Sequence, residues 1–239
     1  LAQGLSPGDR VLLRLGNTAQ FPVAFLGAIA AGLVPVPTAQ GLTDHELDRI
    51  TPLVAPQAIL AAPGIALGHS PPCPVLTDMT GLMAHQGAQY AMGDPDRLGY
   101  IVFTSGSSGG PKAVAHAHRA IRARRMMWDG WYGLTPDDRM LHAGAFNWTF
   151  TLGTGLLDPW AIGATALIPA PGTAPQALGL LLRRHDATLF AAAPGVFRKI
   201  LGDAAELPLP KLRHGLSAGE KLADPIRQRW HQATRTPLH

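Results

Sequence analysis

Residues 100–112 read Tyr-Ile-Val-Phe-Thr-Ser-Gly-Ser-Ser-Gly-Gly-Pro-Lys, an apolar run that passes directly into a loop of hydroxyl-bearing residues and glycines. The apolar residues Tyr100 to Phe103 predict a buried strand. Glycines allow the N–H groups of the loop to turn towards one point, and the hydroxyl groups add uncharged donors. Lys112 supplies a cation at the exit of the loop. This combination predicts a site for an anionic polyphosphate.

The loop does not have the Walker A pattern. Counted from Gly106, the pattern G-x-x-x-x-G-K-[ST] requires a glycine where the chain has Pro111, and Ser or Thr where it has Ala113. A flexible Ser/Gly linker is the ordinary alternative for this composition. The apolar strand before the loop, and the Pro-Lys and Val-Ala-His that follow it, favour a folded site over a linker.

The order T-S-G-[ST]-[ST]-G-x-P-K resembles the phosphate-binding signature of the adenylate-forming superfamily, which includes acyl- and aryl-CoA ligases, luciferases and peptide-synthetase adenylation domains. The resemblance implies that Thr104 and Lys112 act in catalysis. It also implies that the ATP phosphates bind Thr104, Ser105, Gly106, Ser107, Ser108, Gly109 and Lys112. Ala113 departs from the family pattern, which usually has glycine there, and its methyl group restricts the loop without removing a donor.

A second segment, residues 212–222, reads Leu-Arg-His-Gly-Leu-Ser-Ala-Gly-Glu-Lys-Leu and predicts a strand that ends in a turn of small residues. Taken alone, this pattern fits a plain strand-to-helix turn. Because it follows the phosphate loop in the order that the family shows, it resembles the adenine-contacting loop of acyl- and aryl-CoA ligases. The resemblance implies that adenine contacts Ser217, Ala218, Gly219 and Glu220.

A third segment, residues 142–155, carries aromatic residues at alternate positions and several glycines. Ordinary core packing explains this pattern as well as a binding function does. The corresponding family segment lines the pocket for the acyl group, and the resemblance implies that Phe150 occupies its gate. The acyl-pocket residues implied in this way are Phe146, Asn147, Trp148, Phe150 and Gly153.

Strand and helix signals alternate along the chain and predict an α/β fold. The pattern predicts a helix capped by Asn17 or Thr18, a capping box at Thr43–Glu46, and single helices over 118–132 and 152–164. We expect two mostly parallel, helix-flanked sheets that form the N-terminal lobe of an adenylate-forming enzyme. The predicted domains are an α/β subdomain with a connector over 1–97, and a second α/β subdomain that carries the phosphate loop over 98–239.

The composition excludes several other classes of protein. The 239 residues are 46% apolar with a formal charge of +4, enough to bury a core and without an extreme charge. Cys73 is the single cysteine, so an internal disulfide and a cysteine-based zinc cluster are excluded, and no metal-ligand motif is present. The apolar run from Phe21 to Pro37 is interrupted by glycine and proline and is shorter than the ~20 residues of a membrane span. We therefore expect a cytoplasmic protein without a membrane span.

The family resemblance also predicts that the chain is an N-terminal fragment. After Thr236-Pro-Leu-His239 the family continues into a Tyr-Gly-x-Thr-Glu loop that contacts phosphate and Mg²⁺, and then into a C-terminal domain with an adenylation lysine. The start at Leu1 resembles an internal position of the family. The resemblance therefore implies that the fragment alone does not catalyse the reaction.

The expected activity of the full-length enzyme is that of an acid–CoA ligase with ATP, Mg²⁺ and CoA, acting on a small carboxylic acid. One alternative is an amino-acid adenylation domain, which needs an Asp near the position where this chain has Asn147. Another is a nucleic-acid-binding module that uses the cluster of Arg119, Arg122, Arg124 and Arg125, although the neighbouring aromatic residues follow the cluster rather than interleave with it. A third is a folded remnant without activity.

Overall fold

A computed structural model of the protein describes residues 3–85, 87, 89–105, 110–202 and 206–239. The chain divides into two compact units. The first unit comprises Leu1–Arg122 with Phe146–Trp148, and the second comprises Ala123–Ala145 with Thr149–His239. Each unit contains a parallel sheet whose strands are mostly joined through helices, which confirms the predicted α/β class.

The sheet of the first unit has the strand order β2-β1-β3-β4, and each neighbouring pair is parallel. Its strands are β1 (Arg10–Arg14), β2 (Val34–Pro37), β3 (Ala58–Ala61) and β4 (Val75–Leu76). Its helices are α1 (Gln20–Ala30), α2 (Asp44–Val54) and α3 (Met79–Met83). Leu12, Val36 and Ile59 are fully buried in the core of this unit, as expected for apolar strands covered by helices.

The two helix starts predicted for this unit have different outcomes. The capping box of α2 is confirmed: the Glu46 N–H donates to the Thr43 hydroxyl at 3.3 Å, and the Thr43 N–H donates to the Glu46 carboxylate at 2.8 Å. The predicted side-chain cap of α1 is wrong, because α1 follows Ala19 with no side-chain cap. Asn17 instead accepts a hydrogen bond from the N–H of Phe146 at 3.1 Å.

An antiparallel hairpin of β5 (Leu98–Ser105) and β6 (Pro111–Ala117) completes the first unit. The sequence indicated β5 but not the full length of β6. Ile101 of β5 packs in the same core as Leu12 and Val34. Because the apolar side of the hairpin packs in this core, the first unit extends to Arg122, whereas the sequence pattern predicted a division after Arg97.

The sheet of the second unit has the order β10-β9-β7-β8, again with parallel neighbours. Its strands are β7 (Arg139–His142), β8 (Thr165–Leu167), β9 (Leu189–Ala192) and β10 (His214–Ser217). Helix α4 (His118–Ala123) crosses the division between the units, and the second unit adds α5 (Met126–Gly130), α6 (Thr149–Leu152), a π-helix (Gly153–Leu157), α7 (Asp158–Ala161), a 3₁₀ turn (Pro175–Ala177), α8 (Leu178–Arg184), α9 (Pro194–Leu201) and α10 (Asp224–Thr234). No helix in the described part of the chain is both long and apolar enough to cross a bilayer.

Two predicted helices of the second half are interrupted. The single helix predicted over 118–132 is wrong, because α4 ends at Ala123 and α5 begins at Met126. The break contains Arg124, whose guanidinium binds the buried Asp158. The single helix predicted over 152–164 is also wrong. The helical segment begins earlier, at Thr149, ends at Ala161, and includes the π-helical turn in its middle.

Candidate functional site

The β5–β6 hairpin carries both ends of the predicted phosphate loop. Thr104 near the end of β5 lies directly opposite Lys112 of β6. Directly opposed residues of an antiparallel pair project from the same face, so the Thr104 hydroxyl and the Lys112 ammonium leave the hairpin on the same side. Both side chains are exposed, and Lys112 forms no ion pair with any residue that the structure describes.

The centre of the predicted loop lies outside the described residues. This applies to Gly106, Ser107, Ser108 and Gly109, and to the side chain of Ser105. The backbone of Ser105 pairs with Pro111, so the hairpin fixes where the loop leaves β5 and where it enters β6. The roles of Ser105, Gly106, Ser107, Ser108 and Gly109 as hydrogen-bond donors therefore stay a prediction.

A pocket of about 490 Å³ lies beside the loop ends within the first unit, and we call it the β2–β5 pocket. Its walls include Thr38, Ala39 and Leu42 after β2, Glu46, Arg49 and Ile50 of α2, and Thr104, Gly110 and Asn147. The lining is mainly apolar. Backbone and side-chain hydrogen bonds from Thr43 lower the pKa of Glu46, so its carboxylate is held at the helix start. Arg49 is exposed and makes no ion pair with the described residues.

Arg14 was not predicted as a site residue, although its guanidinium binds the segment that forms part of the wall of this pocket. Arg14 ends β1 and is completely buried, and its guanidinium donates to the Thr38 hydroxyl and to the backbone oxygens of Ala39, Gln40, Leu42 and Ala66. Burial lowers its pKa from the ordinary value. One signal was present in the sequence: an arginine interrupts the apolar run Val-Leu-Leu-Arg-Leu of a predicted core strand.

The predicted acyl-pocket residues are distributed over both units. Phe146, Asn147 and Trp148 belong to the first unit, and Phe150 and Gly153 belong to the second. Phe146 is buried and stacks on Phe21 with 4.7 Å between ring centroids, which is core packing. Asn147 lines the β2–β5 pocket.

Phe150 packs against a buried histidine in the second unit. The ring of His142 meets Phe150 edge-on with 4.5 Å between centroids. The Gly144 N–H donates to His142 Nδ1 at 3.0 Å, so the neutral ring carries its proton on Nε2. Burial lowers the pKa of His142 to about 3, and the ring is therefore uncharged at neutral pH.

The pKa of His142 predicts a loss of stability in acid. Because the folded-state pKa of about 3 lies below the ordinary value of 6.5, the unfolded chain binds the proton more tightly between these values. The contribution of neutral His142 to the free energy of unfolding is fully present above pH 6.5 and is lost as the pH falls towards 3. We expect about 2 kcal/mol of this loss at pH 5.

Urea unfolding at pH 7.5 and pH 5 measures this effect in the wild type and in His142→Gln. Gln keeps a polar side chain of similar reach but does not titrate, so the variant is expected to lose less stability between the two values. His231, exposed on α10, gives the control variant His231→Gln, which should follow the wild type. An identical loss in all three proteins would show that His142 does not titrate on unfolding.

Gly153 and Gly155 are the two glycines of the π-helix, and both have a close neighbour. A Cβ atom on Gly153 would lie 2.1 Å from the Arg124 guanidinium carbon, and one on Gly155 would lie 2.6 Å from His142 Cβ. These glycines leave room for the half-buried Arg124 and the buried His142. Gly153 thus has a packing role in the structure, and its place in an acyl pocket stays a prediction.

Asp158 is the centre of a buried polar network next to the π-helix. Its carboxylate accepts from Arg124 Nη2 at 2.6 Å and Nε at 2.9 Å, from Trp128 Nε1 at 3.3 Å, and from the Tyr132 hydroxyl. Arg124 also donates to the Thr154 hydroxyl at 3.2 Å. Burial, and then the charge of Asp158, raise the pKa of Tyr132, so its hydroxyl stays protonated. Arg124 is therefore not part of an exposed basic face for nucleic acid.

The predicted adenine loop follows the carboxyl end of β10. In the second sheet, Ser217 of β10 and His142 of β7 pair with consecutive residues of β9, Ala192 and Ala191. They therefore lie at the same edge, where parallel α/β sheets bind ligands. The Ser217 hydroxyl is buried and has no hydrogen-bond partner among the described residues.

The turn after Ser217 depends on glycine. Gly219 has φ +101°, in the region that L-residues with a side chain rarely adopt. Gly219 and Glu220 are exposed and Ala218 is half-buried, so the turn is open on one side. Within the described residues, no three His, Cys, Asp or Glu side chains gather in a metal-binding group.

Comparison with known proteins agrees with this architecture. The profile of the AMP-binding enzyme family matches residues 1–239. The chain is 30% identical to a benzoate–CoA ligase of Thauera aromatica over 95% of its length, and 27% identical to a 3-hydroxybenzoate–CoA/4-hydroxybenzoate–CoA ligase of the same organism over 99%. It superposes with a TM-score of 0.87 on the anthranilate CoA ligase AuaEII in complex with anthranoyl-AMP, at 22% identity and covering 99% of this chain and 49% of that one.

The two parallel, helix-flanked sheets give the chain the α/β fold seen in the adenylate-forming CoA ligases. The chain belongs to the AMP-binding enzyme family, within the adenylate-forming superfamily. It spans about half the length of the curated relatives that it matches, 47% of the benzoate–CoA ligase and 50% of the hydroxybenzoate–CoA ligase.

Proposed function

We propose that the full-length protein activates a carboxylic acid with ATP, releases pyrophosphate, and transfers the acyl group from the acyl-adenylate to CoA. The observation that carries this proposal is the family match over residues 1–239. The hairpin supports it, because Thr104 and Lys112 stand opposite each other at the ends of the loop.

In this proposal Lys112 and the donors of the loop act by electrostatic stabilisation. Negative charge moves onto pyrophosphate as it leaves, and an ammonium group with converging hydroxyl and N–H donors stabilises that charge. Lys112 is suited to this role because it is exposed and forms no ion pair with the described residues. Residues Ser105, Gly106, Ser107, Ser108 and Gly109 are proposed to supply the remaining donors.

Adenine is proposed to lie against the turn of Ser217, Ala218, Gly219 and Glu220. The Ser217 hydroxyl supports this assignment, since a buried hydroxyl without a partner among the described residues costs free energy until a ligand supplies one. Mg²⁺ is proposed to enter with ATP, because this ion is held largely by phosphate oxygens and water rather than by an all-protein site. A cytoplasmic location, with ATP, CoA and a small acid as partners, completes the proposal.

The acid is proposed to be aromatic or apolar and to lack an α-amine. Residues 142–153 contain no Asp or Glu, so this segment offers an ammonium group no carboxylate. The β2–β5 pocket, which Asn147 lines, has a mainly apolar wall and suits an aryl ring instead. The relatives named above act on benzoate or hydroxybenzoate, and this chemistry agrees with the proposal.

Acid-dependent exchange of pyrophosphate into ATP by the full-length protein tests the proposal. We expect exchange with benzoate or a hydroxybenzoate to exceed exchange with phenylalanine by at least tenfold, because burying an unpaired ammonium costs more than one charged hydrogen bond. Release of AMP and formation of acyl-CoA on addition of CoA test the second step. A preference for the free amino acid, or exchange that does not depend on any acid, would contradict the proposal.

A further inference from the structure

We infer that Arg14 is a positioning residue: its buried guanidinium fixes residues 38–42 as a wall of the β2–β5 pocket and so sets the affinity of the substrate that enters there. The inference rests on the proposed function for the identity of that substrate, which is the carboxylic acid, since Asn147 of the predicted acyl pocket lines the β2–β5 pocket. The geometry of the pocket wall does not depend on the proposed function, because the contacts of Arg14 define it.

The burial of Arg14 is unusual for a residue of a core strand. Its side chain is 0% exposed, and it forms no ion pair with any described residue. Removing a cation from water is costly unless its donors are satisfied. Asp44 adds a favourable but more distant charge. The guanidinium is therefore stable in this place mainly through its hydrogen bonds.

Those hydrogen bonds are directed mostly at one short segment. Arg14 Nη1 donates to the Thr38 hydroxyl at 3.3 Å and to the Ala39 carbonyl, and Nη2 donates to the carbonyls of Gln40 at 3.3 Å and Leu42 at 3.4 Å. The planar guanidinium presents its donors in a rigid fork, so these oxygens are held in fixed relative positions. The Thr38 hydroxyl continues the network by donating to the Leu13 carbonyl at 3.0 Å.

The same segment forms one wall of the pocket. Thr38, Ala39 and Leu42 line the β2–β5 pocket together with Thr104 and Gly110, the residues at the loop ends. This wall is not a regular element, since β2 ends at Pro37 and α2 begins at Asp44. A coil segment needs other contacts to keep one shape, and Arg14 provides them from behind.

Nε of Arg14 adds a second connection, to the Ala66 carbonyl at 3.0 Å. The next residues of that loop are held by Asp44, which accepts from the N–H groups of Leu67 at 3.1 Å and Gly68 at 2.8 Å. Arg14 thus holds the pocket wall against a loop that is itself attached to α2, the helix that carries Arg49. A change at Arg14 is therefore expected to move the wall without touching the pocket directly.

Arg10 is a matched control on the same strand. Arg10 begins β1, and its guanidinium donates to the carbonyls of Val54 at 2.7 Å and Ala55 at 3.0 Å. These are arginine-to-backbone bonds of the same kind, but they end at the C-terminus of α2 and not at the pocket. Arg10 is half-buried, so Arg10→Met tests whether the loss of any arginine from β1 disturbs residues 38–42, whereas a positioning role of Arg14 predicts that only Arg14→Met does so.

The first experiment compares Arg14→Met with Arg10→Met by hydrogen exchange at a temperature where both are folded. We expect amides within residues 38–42 to exchange at least tenfold faster in Arg14→Met and to stay within twofold of the wild type in Arg10→Met. If Arg14→Met does not fold, Arg14→Lys replaces it, because lysine keeps the charge but loses the fork. Equal exchange of this segment in both variants would overturn the inference.

The second experiment measures KM for ATP, for the acid and for CoA in the full-length protein. We expect Arg14→Met to raise KM for the acid about tenfold, with KM for ATP and for CoA within twofold and no selective change in Arg10→Met. A loss of kcat alone, with every KM unchanged, would reduce Arg14 to a structural role and overturn the inference. If the wild type shows no ligase turnover, the proposed function fails. Calorimetric titration of benzoate into the same proteins then decides the inference: an affinity lowered in Arg14→Met alone supports it, and no difference overturns it.

Discussion

Asp158→Ala is expected to lower the free energy of unfolding by about 3–5 kcal/mol, the usual cost of removing one partner of a buried ion pair. The carboxylate is 1% exposed and Arg124 is 20% exposed, so the remaining guanidinium has little water to replace its partner. The Tyr132 hydroxyl and the Trp128 N–H lose their acceptor as well. Urea denaturation measures the effect.

Asp96→Ala is the matched control for this prediction. Asp96 also pairs with an arginine, Arg119, at 2.8 Å, but both side chains are more than half exposed. Exposed ion pairs contribute about 0–1 kcal/mol to stability, so we expect Asp96→Ala to change the free energy of unfolding only slightly. A loss of stability in Asp158→Ala no larger than in Asp96→Ala would mean that the network around Asp158 does not stabilise the second unit.

Lys112→Ala is expected to lower acid-dependent pyrophosphate exchange by about 10–100-fold, with little effect on stability. One charge-assisted hydrogen bond to a phosphate oxygen contributes roughly 1.5–3 kcal/mol, and each 1.4 kcal/mol is a factor of ten in rate. The Lys112 side chain is exposed and makes no ion pair with the described residues, so its removal leaves no buried group unpaired. Ser107→Ala should reduce the same rate by a smaller factor, because its hydroxyl is a neutral donor whereas Lys112 brings a full positive charge to the phosphate oxygens.

Lys199→Ala controls for the loss of one positive charge. Lys199 lies exposed on α9, in the second unit, and no role in nucleotide binding is proposed for it. We expect its exchange rate to stay within twofold of the wild type. Unchanged exchange in Lys112→Ala would remove the loop from the mechanism.

The parts of the fold that the sequence predicted depend on local patterns. The strand at residues 100–103 and the turn chemistry after it lie within one short stretch, and the capping box of Thr43 and Glu46 spans only one helical turn. The alternation of strands and helices is also a local signal, and it predicted both parallel sheets. These interactions require no knowledge of what lies far away in the chain.

The missed features depend on partners that are distant in sequence. Asn17 was predicted to cap α1, but it binds the N–H of Phe146. The helix predicted over 118–132 breaks where Arg124 turns to Asp158, and no pattern around Arg124 indicates that partner. In the candidate site, Arg14 was missed for the same reason, because its acceptors belong to segments after β2 and β3. The center of the phosphate loop was predicted from residue types alone, and its roles stay predictions.

The segment Phe146–Trp148 determines when the first unit can complete its core during synthesis. During synthesis, β1 to β6 emerge before this segment, and their contacts can form as soon as Ala117 is exposed. Phe21, however, is covered by Phe146, which the ribosome adds only after part of the second unit. A nascent chain interrupted between these points therefore presents an uncovered aromatic ring. Such a ring is a place where unfinished chains adhere to one another or where a chaperone binds.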